Sequence, residues 1–157
     1  MQKIKPCLWF DGQAEEAATF YTSIFKHSKI TNVSRYGEGG RFPKGTALTV
    51  TFQLEGQDFM ALNGGPEYKP SPAISLFVNC ETQAEVDELW EQLSAGGKPG
   101  RCGWLEDKFG VSWQIVPAAL GELMQGKDPE RSQRVMKALL QMNKLDVEEL
   151  RRAYEGS

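Results

Sequence analysis

The stretch that decides the fold is "FMALNGGPEYKPSPAIS", residues 59–75. An apolar run with strand alternation ends in Asn63-Gly64-Gly65-Pro66, crosses a polar segment rich in proline, and enters a second apolar run. Glycine and proline at this density mark a connection between elements. The question is whether the pattern upstream of the connection begins again downstream.

It does. Upstream, "KIKPCLWF" (3–10) reads as a strand, with Pro6 confining it to an edge or to a place where its missing N–H is not needed. Past Asp11-Gly12 the period changes, and Ala14, Ala17, Ala18, Tyr21, Ile24 and Phe25 recur at helical spacing, so a helix is expected over 13–26. Strands are expected at 29–37, 46–55 and 57–64, the last two joined by a tight turn at Glu55-Gly56. The Gly-rich loop "EGGRFPKG" (38–45) is expected to be mobile.

Downstream, "AISLFVNC" (73–80) is a strand, and Thr82-x-x-Glu85 is a capping box leading into Val86, Leu89, Trp90 and Leu93. Adding 72 to positions 14, 17, 18 and 21 gives 86, 89, 90 and 93, so the helical stripe is repeated in register. "RCGWLED" and "GVSWQIVP" supply short strands around a turn at Asp107-Lys108-Phe109-Gly110. Two β-α-β-β units are the plain reading, the second abbreviated, with "NGGPEYKPSP" (63–72) at their joint. Beyond Pro117 the chain is helical, with Asp128 as an N-cap before Pro129 and Asp146-x-x-Glu149 opening a last helix.

Composition narrows the function. The 157 residues are 40% hydrophobic and 25% charged, as in soluble globular proteins. A net charge of −3 gives no basic footprint for nucleic acid or an anionic membrane, and no apolar run is long enough to span a bilayer. A cytoplasmic protein without nucleic-acid or membrane partners is expected. Cys7, Cys80 and Cys102 are far apart and lack CxxC spacing, so they read as buried thiols in a reducing compartment.

Several stretches are specific enough to name a family. "LWFDGQAEEAATFYTSIF", "FMALNGGPEYKPSPAIS", "CGWLEDKFGVSWQIVP" and "QRVMKALLQMNKLDVEEL" resemble the PhnB-like branch, often labelled 3-demethylubiquinone-9 3-methyltransferase domain, of the vicinal-oxygen-chelate (glyoxalase/bleomycin resistance/dioxygenase) superfamily. The resemblance implies an α+β fold of two βαβββ-type modules forming a curled mixed sheet around a small-molecule cup, usually in a homodimer, with a C-terminal helical extension here. Module one is then about 1–64, the linker 65–71, module two about 72–117 and the C-terminal helices 118–157. Metal enzymes of the superfamily carry His and Glu ligands on the inner strands. Carried over, those positions fall on Pro6, Asn63, Ala73 and Gln114, and a neutral amide is a weak ligand for a divalent transition metal. His27 follows the first helix, where capping or solvation is the plainer role. The methyltransferase label finds no Gly-rich cofactor cradle in the strand-to-helix turns "FDGQAEE" and "NCETQAE". No metal and no cofactor are therefore expected.

What remains is a largely apolar pocket with a few neutral hydrogen-bonding groups. Alternation places Phe59, Ala61 and Asn63 on one face of their strand, Ala73, Ser75 and Phe77 on another, and Gln114 opposite Trp113. Asn63 stays open between a pocket residue and an Asx-type turn into Gly64-Gly65. Gln114, Ser75, Phe77, Trp9, Arg35, Tyr36 and Trp104 are the other ligand-binding candidates, each of the aromatic and basic ones also a plausible packing or dimer contact. Glu67 and Tyr68 can close over the mouth. Asp107, opening its tight turn, reads as a turn former. The expected function is small-molecule binding in a homodimer. The competing readings are a methyltransferase or other cosubstrate-dependent enzyme, and a protein-interaction domain using the C-terminal helices.

Overall fold

Helix α1 (Ala14–Ile24) explains the first sheet, because its buried stripe is mostly alanine and lets the helix lie close against the strands. The computed structural model describes residues 1–156, and the chain divides into two compact units, Met1–Pro70 and Ser71–Ser157.

In the first unit, β1 (Cys7–Phe10), β2 (Lys29–Arg35), β3 (Ala47–Leu54) and β4 (Gln57–Asn63) form a sheet of order β1-β4-β3-β2. β1 runs parallel to β4, as the crossover through α1 requires, and the other pairs are antiparallel. Ala14, Ala17, Ala18 and Tyr21 bury against the face carrying Phe10, Val50, Phe52, Phe59 and Ala61. Phe52 stacks on Phe59 at 5.5 Å between centroids and meets Tyr21 at 6.3 Å. Each such buried ring contributes about 1.5–3 kcal/mol relative to exposure. Glu55 (φ 51°) and Gly56 (φ 79°) make the β3–β4 turn, both in the left-handed region that a two-residue hairpin needs.

In the second unit, β5 (Ser75–Cys80), β6 (Lys98–Pro99), β7 (Trp104–Glu106) and β8 (Ser112–Pro117) give the order β5-β8-β7-β6, with β5 and β8 parallel. α2 (Gln83–Ser94) buries Val86, Leu89 and Leu93 over the face carrying Leu105, Trp113 and Ile115. Thr82 caps it, its hydroxyl accepting the Glu85 N–H at 3.2 Å. The repeated stripe is thus the repeated core.

The C-terminal helices α3 (Ala118–Met124), α4 (Pro129–Leu139) and α5 (Val147–Glu155) enclose Val116, Val135, Met142, Leu145 and Leu150. Asp128 and Asp146 cap α4 and α5 as the sequence indicates. The segment between α4 and α5 is fastened to its own unit. Gln83 donates to the Leu145 carbonyl (2.9 Å) and accepts the Val147 N–H (2.8 Å), while Cys102 and Gly103 donate to Met142 and Asn143. A Cβ on Gly103 would lie 3.1 Å from Leu145, so glycine permits this approach.

Element boundaries shift slightly. The first strand starts at Cys7, not Lys3, and Pro6 just before it lends only its carbonyl, to the Met60 N–H at 2.9 Å. The first helix ends at Ile24, and β5 starts at Ser75. The expected tail 118–157 ends on Ser157, which lies outside the described residues. Among the described residues no helix is long and apolar enough to cross a membrane.

Candidate functional site

Helix α2 covers one face of the second sheet, and strand register decides what the other face displays. Phe77 pairs with Gln114 and Gln114 with Trp104, while Ser75 pairs with Ser112. Neighbours in register share a face. Since Trp113 and Ile115 lie under α2, Ser75, Phe77, Trp104 and Gln114 stand together on the side away from it. The Gln114 amide donates to the Ser75 hydroxyl at 3.0 Å. Phe77 is 54% exposed, and Trp104 and Gln114 are half-buried. Four of the expected candidates therefore form one surface of two aromatics around a neutral amide–hydroxyl pair.

The first unit separates its candidates. Asn63 is 1% exposed and lies on the α1 face with Phe59 and Ala61, not on the open one. Its Oδ1 accepts the Ala14 N–H and its Nδ2 donates to the Ala47 carbonyl, both at 2.9 Å. Both earlier readings of Asn63 give way: it is neither a ligand contact nor a local turn, but a bracket between strand and helix. Arg35 is also drawn to the α1 side, where its guanidinium grips both carboxylate oxygens of Glu15 (3.0 and 2.9 Å) and the Gly45 carbonyl. The Arg35 hydrogen bonds hold the Glu15 carboxyl below its ordinary range. Tyr36 donates its hydroxyl to the Asn63 carbonyl at 2.6 Å and meets Phe42 at 5.5 Å.

The open face of this sheet is read from the same register. Trp9 pairs with Leu62, Leu62 with Thr49, Thr49 with Ser34, and Cys7 with Met60. The Ser34 and Thr49 hydroxyls are 2.6 Å apart. Trp9 thus lies on the face away from α1, with Leu62, Met60, Thr49 and Ser34, which the sequence reading did not single out. Locating Phe52 and Phe59 under α1 would have assigned them, because their strand neighbours must face the other way. On this face Met60, beside Cys7, takes a place like that of Gln114 beside Phe77, whereas Asn63 faces α1.

The loop between β2 and β3, expected to be mobile, reaches the segment after β4 through Arg41. Arg41 donates to the Gly64 carbonyl at 2.8 Å and pairs with the Glu67 carboxylate. Trp9 donates its indole N–H to the Gly65 carbonyl at 2.9 Å, and Tyr68 meets the Trp9 ring edge-on at 5.0 Å.

Asp107 is more than a turn former. One carboxylate oxygen accepts the Phe109 and Val111 N–H groups (2.8 and 3.0 Å), and the other accepts the Trp113 indole N–H (2.9 Å). It fixes the β7–β8 turn to the core tryptophan.

Of the three cysteines expected to be buried only Cys80 is, Cys7 being exposed and Cys102 half-buried; burial pushes the Cys80 thiol up to about 12, with Glu85 adding to the effect, and partial desolvation raises Cys7, so neither favours the thiolate a nucleophile needs. The positions at which the superfamily holds a metal do not fit one: Pro6 and Ala73 have no side-chain donor, Asn63 is committed at both ends, and Gln114 is a neutral amide. Among the described residues no three His, Cys, Asp or Glu side chains come together. A Rossmann-type cofactor cradle does not fit either. Each sheet is mixed, and the first N–H of α1 is taken by Asn63 while Thr82 caps α2.

A profile of the family described as 3-demethylubiquinone-9 3-methyltransferase matches residues 2–116. Among solved structures, a putative 3-demethylubiquinone-9 3-methyltransferase, PhnB protein, from Bacillus cereus is 43% identical, with a TM-score of 0.69 over 74% of this chain and 100% of the other. A protein from Pseudomonas aeruginosa is 21% identical, with a TM-score of 0.62 over 74% and 98%. A fosfomycin resistance protein from Listeria monocytogenes, complexed with Mn(II) and sulfate, is 15% identical, with a TM-score of 0.51 over 72% and 89%, a likeness of fold alone. No curated protein matches the chain.

Proposed function

This chain belongs to the PhnB-like, 3-demethylubiquinone-9 3-methyltransferase family, with the glyoxalase/vicinal-oxygen-chelate fold, and from that premise we propose that it binds a small, uncharged, aromatic molecule without a metal. The observation that carries the proposal is the Gln114–Ser75 pair set between Phe77 and Trp104 on the sheet face away from α2. Flat aromatics offer stacking surface, and a neutral amide–hydroxyl pair selects a carbonyl or hydroxyl on the ligand at little desolvation cost. An anionic ligand would find no cation among these four side chains. The open face of the first unit has the same character, with Trp9, Leu62 and the Ser34–Thr49 hydroxyl pair.

The methyltransferase reading is favoured by the name of the Bacillus cereus relative, but the strand-to-helix turns do not supply its cofactor cradle. The interaction-domain reading is favoured by Met136 and Leu140, one turn apart and exposed on α4. Those two, with Ile74 and Phe77, also support a homodimer. Three free cysteines support a reducing, cytoplasmic location.

A thermal-shift panel tests the function. 2-Naphthol should raise the melting temperature of wild type and lose most of that effect in Gln114→Leu, whereas S-adenosylmethionine should not shift either. A clear S-adenosylmethionine shift in wild type would overturn the proposal in favour of methyl transfer. Elemental analysis showing a stoichiometric transition metal that survives mild chelation would overturn its metal-free part, and sedimentation showing only a 17.5 kDa monomer at micromolar concentration would overturn the dimer.

A further inference from the structure

Trp9 lies on the open face of the first sheet, and the segment that follows β4 folds over it. Gly64 backs onto the indole so closely that a Cβ there would come within 2.4 Å of the ring. The indole N–H holds the Gly65 carbonyl, and the exposed Tyr68 closes edge-on over the same ring. Its first two residues are fixed to β1, Gly64 and Gly65 donating their N–H groups to the Phe10 carbonyl (2.9 and 3.4 Å), and beyond that point the segment is held on its other side by Arg41, which bonds the Gly64 carbonyl and pairs with Glu67. Both partners of that pair have about half of their side-chain surface in water (49% and 43%), so water competes for them and the attachment is easily broken. Gly65, at φ +113°, supplies a backbone joint that other residues resist.

We infer that residues 64–68 form a strap over Trp9, latched by Arg41 and Glu67, whose opening admits a small uncharged aromatic ligand to the open face of the first unit. The inference rests on the ligand-binding reading above. A strap that leaves and returns without contributing much to the bound state changes the rates of entry and exit together and leaves affinity nearly constant.

The test uses the full chain. The exchange rate of the Trp9 indole N–H, identified by its loss in Trp9→Phe, reads the strap directly by nitrogen-edited NMR with no ligand present. Arg41→Ala and Glu67→Gln, both at the surface, should speed that exchange roughly twofold or more, with the Trp90, Trp104 and Trp113 signals unchanged. Gly64→Ala, whose methyl must displace the ring, should abolish the protection. Wild-type exchange in Arg41→Ala and Glu67→Gln would overturn the strap even if Gly64→Ala fails to fold. Stopped-flow binding of 2-naphthol in the Gln114→Leu background, where the second-unit face is weakened, should then show association and dissociation both faster on adding Glu67→Gln. Faster dissociation alone would make the segment part of the binding surface and overturn its role as a gate. Failure of 2-naphthol to bind any of these proteins would overturn the ligand reading, and the gate with it, whereas an unresponsive Trp9 overturns the strap alone.

Discussion

The side-chain oxygen of Asn63 accepts the backbone N–H of Ala14 at 2.9 Å, across 49 residues of chain. Helix α1 has no side-chain cap of its own, since Gln13 at its N-cap makes no capping bond. The last residue of β4 does this work instead, and its amide nitrogen simultaneously holds the Ala47 carbonyl at the start of β3. One buried side chain thus sets helix, strand and strand end in register.

Asn63→Ala leaves a buried N–H and a buried carbonyl without partners. The expected loss is about 1–3 kcal/mol for each, read as a lower urea midpoint. Asn63→Gly should lose as much, because what matters is the amide and not the backbone conformation. Full stability in Asn63→Gly would contradict the bracket.

Asn63→Asp adds a sign. The introduced carboxylate still accepts from Ala14 but faces the Ala47 carbonyl with no proton to donate, and it is buried. Both effects raise its folded-state pKa above the unfolded value. A raised carboxyl favours the fold when protonated, so the deficit relative to wild type should be largest at neutral pH and shrink as pH falls through the folded pKa. Equal deficits at pH 7 and pH 5 in denaturant titrations would count against this geometry.

Asp107 supplies a second buried bracket, within the second unit. In Asp107→Asn only one oxygen remains, so either the turn N–H groups or the Trp113 indole lose their acceptor. A loss of about 1–3 kcal/mol is expected, with a shift in tryptophan emission. An unchanged midpoint would show that the indole finds another partner.

Cys80, pushed up to about 12 by burial, holds almost no thiolate at pH 8. Iodoacetamide should leave it unlabelled in the native protein and label it once guanidinium unfolds the chain. Labelling at similar rates in both states, read by peptide mass spectrometry, would contradict its burial.

The repeat was legible because burial of one helical stripe per unit leaves a periodicity that survives translation by 72 positions, and every stripe residue so related but the half-buried Trp90 is buried. Gln114 was legible for a related reason: the large Trp113 and Ile115 beside it must face the core, which turns Gln114 outward. Asn63 was not. Both faces of β4 are apolar, Phe59 and Ala61 on one and Met60 and Leu62 on the other, so alternation alone does not say which face meets α1. Its partners, moreover, are main-chain atoms of Ala14 and Ala47, which leave no mark in side-chain pattern. The turn of Arg35 toward Glu15 was not legible because the register shifts between Ser34 and Arg35, an irregularity without a glycine or proline to announce it. The glycines of 38–45 suggested mobility, but the anchoring falls to Arg41 and Tyr36, whose carbonyl partners on Gly64 and Asn63 are again main-chain atoms.

The central claim is that the face carrying Ser75, Phe77, Trp104 and Gln114 binds an uncharged aromatic ligand. The most direct measurement is a nitrogen-edited NMR titration of the full chain with 2-naphthol, following the Gln114 side-chain amide and the Trp104 indole. The account expects both signals to move in a saturable way, with the buried Asn63 amide and Trp113 indole still, and expects Gln114→Leu to weaken binding by roughly 10-fold or more, the consequence of losing one hydrogen-bonding group. Saturable shifts confined to the C-terminal helices, or none at any concentration, would contradict it.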